Sequence, residues 1–349
     1  MLANSSCNML LTGATGLIGG ELAISLSQGG HGVWTLVRGA GQAEARERLA
    51  RRLARSGQVL NGRLSPLPGD VHLPLCGILN GVARPLEESC EIVIHCAAQT
   101  SFRPDAGCWR TNVQGTQNLV DLVSRFKKLR RVFYVSSAVV CTMPAGGVVD
   151  EEASYAGFTN DYVASKRAAE KLLLESGLPV TILRPSVVIS RGLKDRAFAR
   201  SILWVLPLVA GAGCVPLRGT ERLDIIPVDF VVKVISELLP TQPSYDCYHI
   251  SAGIESCVTS AQIADCLHVG RHTSSPIRFN TAHDAVPSRF GEPLGRYLPF
   301  ITADVVYSNK RLAHELGADF PECPTFSDYC LEMMNLVNSH EALIESALP

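Results

Sequence analysis

The stretch Met9-Leu10-Leu11-Thr12-Gly13-Ala14-Thr15-Gly16-Leu17-Ile18-Gly19 joins a short apolar run to a glycine turn that opens a helix-forming segment. This strand–turn–helix context is typical of the loop that holds the pyrophosphate of a dinucleotide, although an ordinary strand-to-helix turn also uses glycine. Gly13 permits the tight turn, Gly16 lets the phosphates approach backbone N–H groups, and Gly19 lets the helix pack on the strand. The predicted cofactor contacts in this loop are Gly13, Thr15, Gly16, Leu17, Ile18 and Gly19.

Apolar runs and helix-period segments alternate through the first two thirds of the chain. Near-continuous apolar strands suit a sheet that is buried on both faces, and the alternation predicts an α/β fold whose parallel sheet carries helices on both sides. The predicted strands are Met9–Leu11, Val33–Val37, Ile92–Cys96, Val132–Ser136 and Val180–Leu183. The predicted helices between them are Gly19–Gln28, Ala43–Arg55, Gln114–Phe126 and Tyr162–Glu175.

After Pro185 this pattern loosens, and glycine, proline and basic residues become frequent. We therefore predict a nucleotide-binding domain over 1–189, to which 223–251 returns. The segments 190–222 and 252–349 are expected to form a smaller substrate lobe over the open end of the sheet. Within the returning segment the sequence predicts a strand, a helix and another strand at Leu223–Ile226, Val228–Leu239 and Tyr248–Ser251.

The composition narrows the function classes. The chain has 349 residues and a formal net charge of −1, which gives no electrostatic reason to expect nucleic acid or an anionic membrane as a partner. Its twelve cysteines form no C-x-x-C pair, so we expect a reducing cytoplasm, without a disulfide framework or a metal site. No apolar run reaches the roughly 20 residues of a spanning helix, and Met1–Asn8 lacks signal-peptide features.

Arg38, directly after the second predicted strand, points to the kind of dinucleotide. A site for NAD usually has an acidic residue here to accept from the ribose hydroxyls, but no acid lies between Trp34 and Ala43. A guanidinium instead suits a 2′-phosphate, so we predict NADPH, with Arg48 assisting. The alternative is that Arg38 is only a surface residue, as we expect for most of the charged helix Glu44–Arg55.

Small and acidic residues at two further strand ends complete the predicted cofactor site. Asp70, followed by Val71, places a carboxylate where the adenine amino group could donate to it. Ala97 and Ala98 would let the dinucleotide lie close to the end of the fourth strand. His95, a lone histidine in an apolar strand, is expected to be structural.

Tyr162 and Lys166 are the predicted chemical centre. Four residues apart on a helix, they lie on the same face, and a lysine ammonium is expected to lower the pKa of a phenol towards the working range. Ser137, at a strand end, is expected to hold the substrate oxygen; Ser136 could exchange roles but falls on the opposite side of the strand. Asn112 is expected either to order the helix or a water near the site, or to act as a plain helix N-cap.

These residues resemble the extended short-chain dehydrogenase/reductase family from Met9 to about Ser251. The resemblance implies a Rossmann fold, a nicotinamide cofactor and a Ser/Tyr/Lys centre. It also implies that the segment after Arg184, including Pro185 and Val187, touches the nicotinamide end. The stretches that carry it are Thr12–Gly19, Asp70, Asn112–Thr116, Tyr134–Ala138, Tyr162–Lys166 and Arg184–Ser186.

Within that family, the chain is similar to the thioester reductase and fatty acyl-CoA reductase branch, the male-sterility type. The shared features are Leu36-Val37-Arg38, His95-Cys96-Ala97-Ala98 and Asp224-Ile225-Ile226-Pro227-Val228-Asp229. The resemblance implies NADPH-dependent reduction of an acyl thioester, bound to CoA or a carrier protein, to an aldehyde or alcohol. The branch usually has threonine where this chain has Ser137.

The sequence therefore predicts a reductase that delivers hydride to a carbonyl, with an acyl thioester as the leading substrate. The apolar stretch Ile202–Val209 is expected to line the acyl pocket or, equally, to be core of the lobe. The enzyme alternatives are a ketone or hydroxysteroid-type reductase and a sugar-nucleotide epimerase or dehydratase. The non-enzyme alternative is a cofactor-binding regulator without catalytic activity. A homodimer through Gln114–Phe126 and Tyr162–Glu175 is left open.

Overall fold

Seven parallel strands form the central sheet of the computed structural model, which describes residues 7–78, 80–104, 107–141, 146–153, 160–190, 209, 213–271, 275–281 and 295–339. The strands are β1 (Asn8–Thr12), β2 (Gly32–Val37), β3 (Leu64–Pro68), β4 (Ile92–His95), β5 (Arg131–Val135), β7 (Val180–Pro185) and β12 (Cys247–Ile250). Their spatial order is β12-β7-β5-β4-β1-β2-β3, and every neighbouring pair is parallel. The predicted doubly wound fold is confirmed.

Both faces of this sheet are covered, as the apolar strands require. Met9 and Leu11 of β1 are fully buried in one layer and Leu10 is fully buried in the other. The first layer contains helices α1 (Leu17–Gln28), α2 (Gln42–Ala54) and α6 (Val228–Leu238); the second contains α3 (Asn80–Ser89), α4 (Gly115–Val123) and α5 (Asp161–Leu174).

The direction of the strand order reverses between β1 and β4. From β1 the chain proceeds to β2 and β3 on one side, and from β4 it proceeds to β5, β7 and β12 on the other. The connections after β1 and β4 therefore leave in opposite directions and open a crevice at the carboxyl edge of the sheet, where ligands of open α/β sheets bind. The glycine loop lies on one side of this crevice and residues 96–104 lie on the other.

A smaller cluster lies outside the main sheet. Its buried members include Leu217, Leu267, Tyr329 and Met333. The described short strands are β6 (Gly147–Val149), β8 (Val187–Ile189), β9 (Cys214–Val215), β10 (Arg222–Leu223), β11 (Ile225–Pro227), β13 (Val258–Thr259), β14 (Arg278–Phe279) and β15 (Val305–Tyr307). The remaining described helices are α7 (Gly253–Ser256), α8 (Ser260–Arg271), α9 (Leu298–Thr302), α10 (Lys310–Leu316) and α11 (Phe326–Ser339).

Two sequence predictions need correction here. The single strand expected at Leu223–Ile226 is two short strands, because the chain turns at Asp224: β10 pairs antiparallel with β13, whereas β11 pairs parallel with β8. The helix expected to begin at Gln114 begins earlier, as a π-helical turn over Trp109–Gln114. Of the predicted acyl-pocket stretch, all but Val209 lies outside the described residues.

Across the part of the chain that the structure describes, we find no helix with the length and apolar character that crossing a membrane requires.

Candidate active site

The glycine loop lies directly against the end of β4. Gly13 has a φ of +73°, and a Cβ there would lie 2.6 Å from the carbonyl carbon of Cys96. The N–H of Gly16 donates to the carbonyl oxygen of Gly13 across 2.8 Å, which closes the turn. A Cβ on Gly19 would lie 2.4 Å from that same carbonyl oxygen, so the start of α1 packs closely against the glycine loop that follows β1.

The start of α1 fits the pyrophosphate of a dinucleotide. Its N-cap is Gly16, whose exposed backbone is extended, and none of the described side chains caps the helix. The first N–H groups thus remain available to an anion, at the end where the helix dipole favours negative charge. Thr15, Leu17 and Ile18 are half-buried, and the last two pack on the core below.

Arg52 supports this loop from behind, and sequence reasoning missed it. Although α2 was expected to be a solvated helix, Arg52 is only 2% exposed. Its Nε donates to the carbonyl oxygen of Gly16 at 2.9 Å and its Nη2 donates to that of Leu17 at 3.2 Å. Nη2 also forms a 2.8 Å ion pair with Glu21 on α1. The cation therefore ties α2 to the first turn of α1.

The two arginines predicted to recognise a 2′-phosphate lie at the outer end of β2 and on α2. Arg38 is exposed and forms no ion pair with any side chain in the described ranges. Arg48 lies 3.8 Å from Glu44, whose other carboxylate oxygen accepts from the N–H of Ala40 at 2.8 Å. The connection after β2 is thus fixed at the base of α2, with the guanidinium of Arg38 left accessible.

The predicted adenine-side residues follow β3 and β4. Asp70 is partly exposed, and its Oδ1 accepts from the backbone N–H of His72 at 3.0 Å. Val71 is buried, and its carbonyl oxygen accepts from Nδ2 of Asn118 at 2.7 Å, so this residue fixes the loop to α4. Ala98 is half-buried after β4.

His95 is structural, as expected, and its hydrogen bonds define its tautomer. The hydroxyl of Thr116 donates to the carbonyl oxygen of Asn112 at 2.6 Å, so it accepts from Nε2–H of His95 at 3.1 Å. Nδ1 must then accept from the hydroxyl of Thr12 at 2.7 Å, and that hydroxyl in turn accepts from the N–H of Ala97 at 3.1 Å. Burial lowers the pKa of His95 to about 3, which keeps the ring neutral.

Asn112 holds the segment after β4 in place. Its Oδ1 accepts from the N–H of Gln99 at 2.8 Å, and its Nδ2 donates to the carbonyl oxygen of Gln99 at 3.0 Å and to the hydroxyl of Ser165 at 2.9 Å. The N-cap alternative is therefore wrong, because Asn112 lies inside the π-helical turn and links it to α5. The sequence marked Asn112 as a residue near the site. It could not show which groups the side chain bonds, because the fold brings those partners together.

Tyr162 and Ser137 lie together at the carboxyl edge of the sheet. The Asn160 side chain caps α5 by accepting from Val163 N–H at 2.9 Å, which places Tyr162 in the first turn. Burial raises the pKa of Tyr162 to about 12, and a side-chain interaction with the hydroxyl of Ser137 opposes that shift. Ser136 does not share this contact: its hydroxyl is buried without a hydrogen-bond partner in the described residues.

Lys166 is 2% exposed and lies one turn further along α5. Its Nζ donates to the carbonyl oxygen of Val135 at 2.8 Å and to the hydroxyl of Tyr134 at 3.2 Å, and lies 4.6 Å from the ring centroid of Tyr134. Burial lowers the pKa of Lys166 to about 8, with Glu170 opposing the shift. Burial of the phenol is the largest influence on the pKa of Tyr162, so the net shift is upward, opposite in direction to the lowering expected from the lysine.

Three aromatic rings lie next to the catalytic candidate, and sequence reasoning missed them. The Phe102 and Tyr162 rings are stacked, with centroids 5.4 Å apart and planes at 29°. Phe102 also stacks on Tyr297 at 4.9 Å and contacts Phe300 at 5.0 Å. No pattern in the sequence connects these rings, because they come from the β4 connection and from the C-terminal part of the chain.

The segment after β7 is fixed by a buried carboxylate. Pro185 is buried at the end of β7, and the N–H of Val187 donates to the carbonyl oxygen of Asp224 at 3.1 Å. The side chain of Asp224 accepts from the N–H of Ala252 at 2.9 Å and from that of Tyr307 at 3.1 Å. Burial raises the pKa of Asp224 to about 6. This residue therefore joins three chain segments beside β8.

The predicted site residues thus occur at the carboxyl edge of one sheet, in two groups. The glycine loop, Arg38 and the β3 and β4 connections form a cradle that fits a dinucleotide. Next to this cradle, Ser137 follows β5, and Tyr162 and Lys166 lie one turn apart on α5. Within the described part of the chain, no cluster of histidine, cysteine and acidic side chains could hold a metal ion.

Residues 11–235 match the family model of the NAD-binding type described as male sterility protein. Among curated proteins, the chain is 26% identical over 309 residues to an isonitrile lipopeptide synthase of Streptomyces coeruleorubidus, covering 84% of this chain and 19% of the synthase. It is also 26% identical over 275 residues to a candidate fatty acyl-CoA reductase of Drosophila melanogaster, covering 65% of this chain and 50% of that protein. The chain therefore spans at most half of these two relatives.

Among solved structures, the terminal R domain from the myxalamid PKS-NRPS biosynthetic pathway matches with a TM-score of 0.80. The alignment covers 100% of this chain and 94% of that domain at 24% identity, which shows a shared fold.

Proposed function

Because the chain belongs to the male sterility protein family, an NAD-binding branch of the extended short-chain dehydrogenases/reductases, we propose that it uses NADPH to reduce the carbonyl of an acyl thioester. The observation that carries this proposal is the pairing of Ser137 with a buried, protonated Tyr162 beside the dinucleotide cradle. The acyl group would be carried on CoA or on a carrier protein, and the product would be an aldehyde or, after a second reduction, an alcohol.

Tyr162 and Ser137 bind the substrate oxygen in this proposal. A bound reduced nicotinamide supplies the hydride to the carbonyl carbon. As that carbon becomes tetrahedral, its oxygen gains negative charge, and hydrogen bonds from the two hydroxyls would stabilise that charge. When the C–S bond breaks, the oxygen returns to a carbonyl and the departing thiolate takes a proton from solvent to become the free thiol.

The raised pKa of Tyr162 suits this direction of reaction. A phenol with a pKa of about 12 is protonated at neutral pH, so it enters each cycle as a proton donor rather than as a base. In the second reduction, or with a ketone, the proton passes from the phenol oxygen to the product alkoxide.

Lys166 supplies positive charge behind the phenol. Two of its three N–H donors are used by Val135 and Tyr134, which leaves one for a hydroxyl of the cofactor ribose. Because Lys166 is buried, its charge is little screened and favours the phenolate that forms after proton transfer.

The preference for NADPH rests on Arg38 and Arg48. An exposed guanidinium at the end of β2, without an acidic partner on that strand, can form paired hydrogen bonds with a 2′-phosphate. Support for a thioester comes from the two curated relatives, one named as a lipopeptide synthase and the other as a candidate acyl-CoA reductase.

A substrate panel tests the proposal. The protein is incubated with NADPH and, separately, with acyl-CoAs, ketones and UDP-sugars, while loss of the reduced-nicotinamide absorbance is followed. We expect consumption of NADPH with acyl-CoAs and release of free thiol, one thiol for each NADPH if the product is the aldehyde and one for every two if it is the alcohol. Consumption with ketones alone would refute the thioester assignment and leave the reductase. Conversion of a UDP-sugar to its epimer without net change in the nicotinamide absorbance, followed by chromatography of the sugar, would favour the epimerase alternative.

A further inference from the structure

The ring face of Tyr162 is covered by Phe102, which restricts how a substrate can reach the phenol. The two rings are stacked at 5.4 Å, and Tyr162 as a whole is only 7% exposed. A substrate oxygen must therefore approach the edge of the phenol ring that carries the hydroxyl, on the side of Ser137. The group bonded to the reacting carbonyl then lies next to Phe102.

The surroundings of this approach are apolar. Tyr162, Val163 and Cys108 form one buried cluster, against which Phe102, Val139 and Phe300 pack. Together with Tyr297, which stacks on Phe102 at 16° between ring planes, they present ring faces and aliphatic carbon to whatever binds beside the carbonyl. Such a surface favours an alkyl or aryl group and gives a sugar diphosphate few hydrogen-bond partners.

Phe102 is held rigidly although its side chain is only half-buried. The Asn112 amide bonds both the N–H and the carbonyl of Gln99, and the thiol of Cys108 donates to the carbonyl oxygen of Ser101 at 3.5 Å. The backbone on the N-terminal side of Phe102 is therefore fixed by the π-helical turn and the residue before it. A ring on a fixed backbone extends a constant distance into the space beside it. It can therefore exclude groups above a given size.

We propose that Phe102, Tyr297 and Phe300 form the wall of the acyl-binding site, and that Phe102 sets the size of the group bonded to the carbonyl. This proposal rests on the proposed function, which it deepens by naming the residues that select the acyl group. Tyr297 and Phe300 extend the wall from the C-terminal part of the chain, so the pocket is assembled from two distant segments.

The test compares the wild type with Phe102→Ala and with the milder Phe102→Leu. Binding of straight-chain acyl-CoAs, from acetyl to palmitoyl, to the protein loaded with oxidised cofactor is measured by calorimetry, and turnover is measured with the same series. Phe279→Ala is the matched control, because Phe279 is also half-buried but packs against Gly219 in another part of the chain.

We expect Phe102→Ala to weaken binding of the best wild-type acyl group by about tenfold and to move the optimum to a bulkier one. Phe102→Leu should move it in the same direction by less, and Phe279→Ala should keep the wild-type order. An unchanged order of preference in both Phe102 variants, or no acyl-dependent binding in any protein, would overturn the proposal.

The two proposals fail separately. Suppose that the Phe102 variants bind acyl-CoAs with a changed preference for acyl size, but no acyl-CoA is reduced. The thioester reductase function is then wrong, and the proposed wall of the acyl site is supported. If thioesters are reduced but the order of preference among acyl groups is the same in the wild type and the Phe102 variants, the proposed function is supported and the proposed wall is wrong. Should Phe102→Ala unfold, Phe102→Leu and Phe300→Leu give the same comparison.

Discussion

Arg52 donates from Nε to the carbonyl oxygen of Gly16 across 2.9 Å, and this contact joins the second helix to the glycine turn at the start of α1. The carbonyl lies at the N-cap of α1, so its orientation fixes the direction of the N–H groups that follow. A buried guanidinium held by carbonyl groups and by Glu21 keeps the turn in one conformation before a ligand arrives.

Replacing Arg52 with methionine should therefore weaken cofactor binding as well as stability. We expect the Kd for NADPH to rise by about tenfold and the free energy of unfolding to fall by about 2 kcal/mol, because several hydrogen bonds to a charged group are lost. Arg51→Met is the control, since among the described residues Arg51 pairs with Glu47 alone and its side chain is 64% exposed. Equal behaviour of the two variants would show that the Arg52 contacts do not organise the loop.

Removal of the Tyr162 hydroxyl should separate chemistry from binding. In Tyr162→Phe we expect turnover to fall by about 100-fold or more, since the proton donor is lost, while the NADPH affinity stays within error. Stopped-flow absorbance and cofactor fluorescence measure the two quantities. Tyr245→Phe, far along the chain and beside Arg311, should leave both unchanged; retained turnover in Tyr162→Phe would remove the phenol from the mechanism.

Cofactor choice should depend on Arg38. In Arg38→Asp the ratio of kcat/KM for NADPH to that for NADH should fall by about 10- to 100-fold, because a charge-assisted contact to the 2′-phosphate becomes a repulsion. Arg46→Asp makes the same change in net charge at an exposed position on α2 and is the matched control. A native enzyme that already prefers NADH would refute this role.

The dependence of kcat/KM on pH should show the titration of Lys166. Its pKa is about 8, so the charged form that supports phenolate and ribose binding is lost as the pH rises through that value. We expect kcat/KM to decline on the alkaline side with a midpoint near 8, while below it the lysine is charged and this decline is absent. In Lys166→Met we expect a much lower kcat/KM that no longer declines at alkaline pH. If the decline persists in this variant, another group is responsible for it.

Much of the fold could be predicted because its signals are local. The buried strands are apolar runs, and the glycine loop combines a positive φ at Gly13 with a close approach at Gly19. The order of Ser137, Tyr162 and Lys166 along the chain was enough to expect a common site. Most strand and helix ends were displaced by no more than two residues, as hydrogen bonding rather than residue type decides where an element stops. The helix expected over Gln114–Phe126 is the larger departure, since its helical turns begin at Trp109 and end at Val123.

The rest depends on tertiary contacts that residue type does not reveal. The buried side of α2 is marked by Ala45, Leu49 and Leu53, and an arginine beside them looks like the solvated arginines around it. Its burial is favourable only because two carbonyl groups of another helix meet it. Likewise Phe102 and Tyr297 come from segments far apart in the chain, and only the folded structure brings their rings together.

The amide of Asn112 holds the main chain of Gln99, three residues before Phe102, through bonds that do not involve the side chain at position 102. The residue that holds the loop, Asn112, is therefore different from the residue proposed to select the acyl group, Phe102. This separation is useful for enzyme engineering. A saturation library at that one position should yield folded variants with different product spectra, whereas the same effort at Asn112 would mostly yield proteins with no usable pocket.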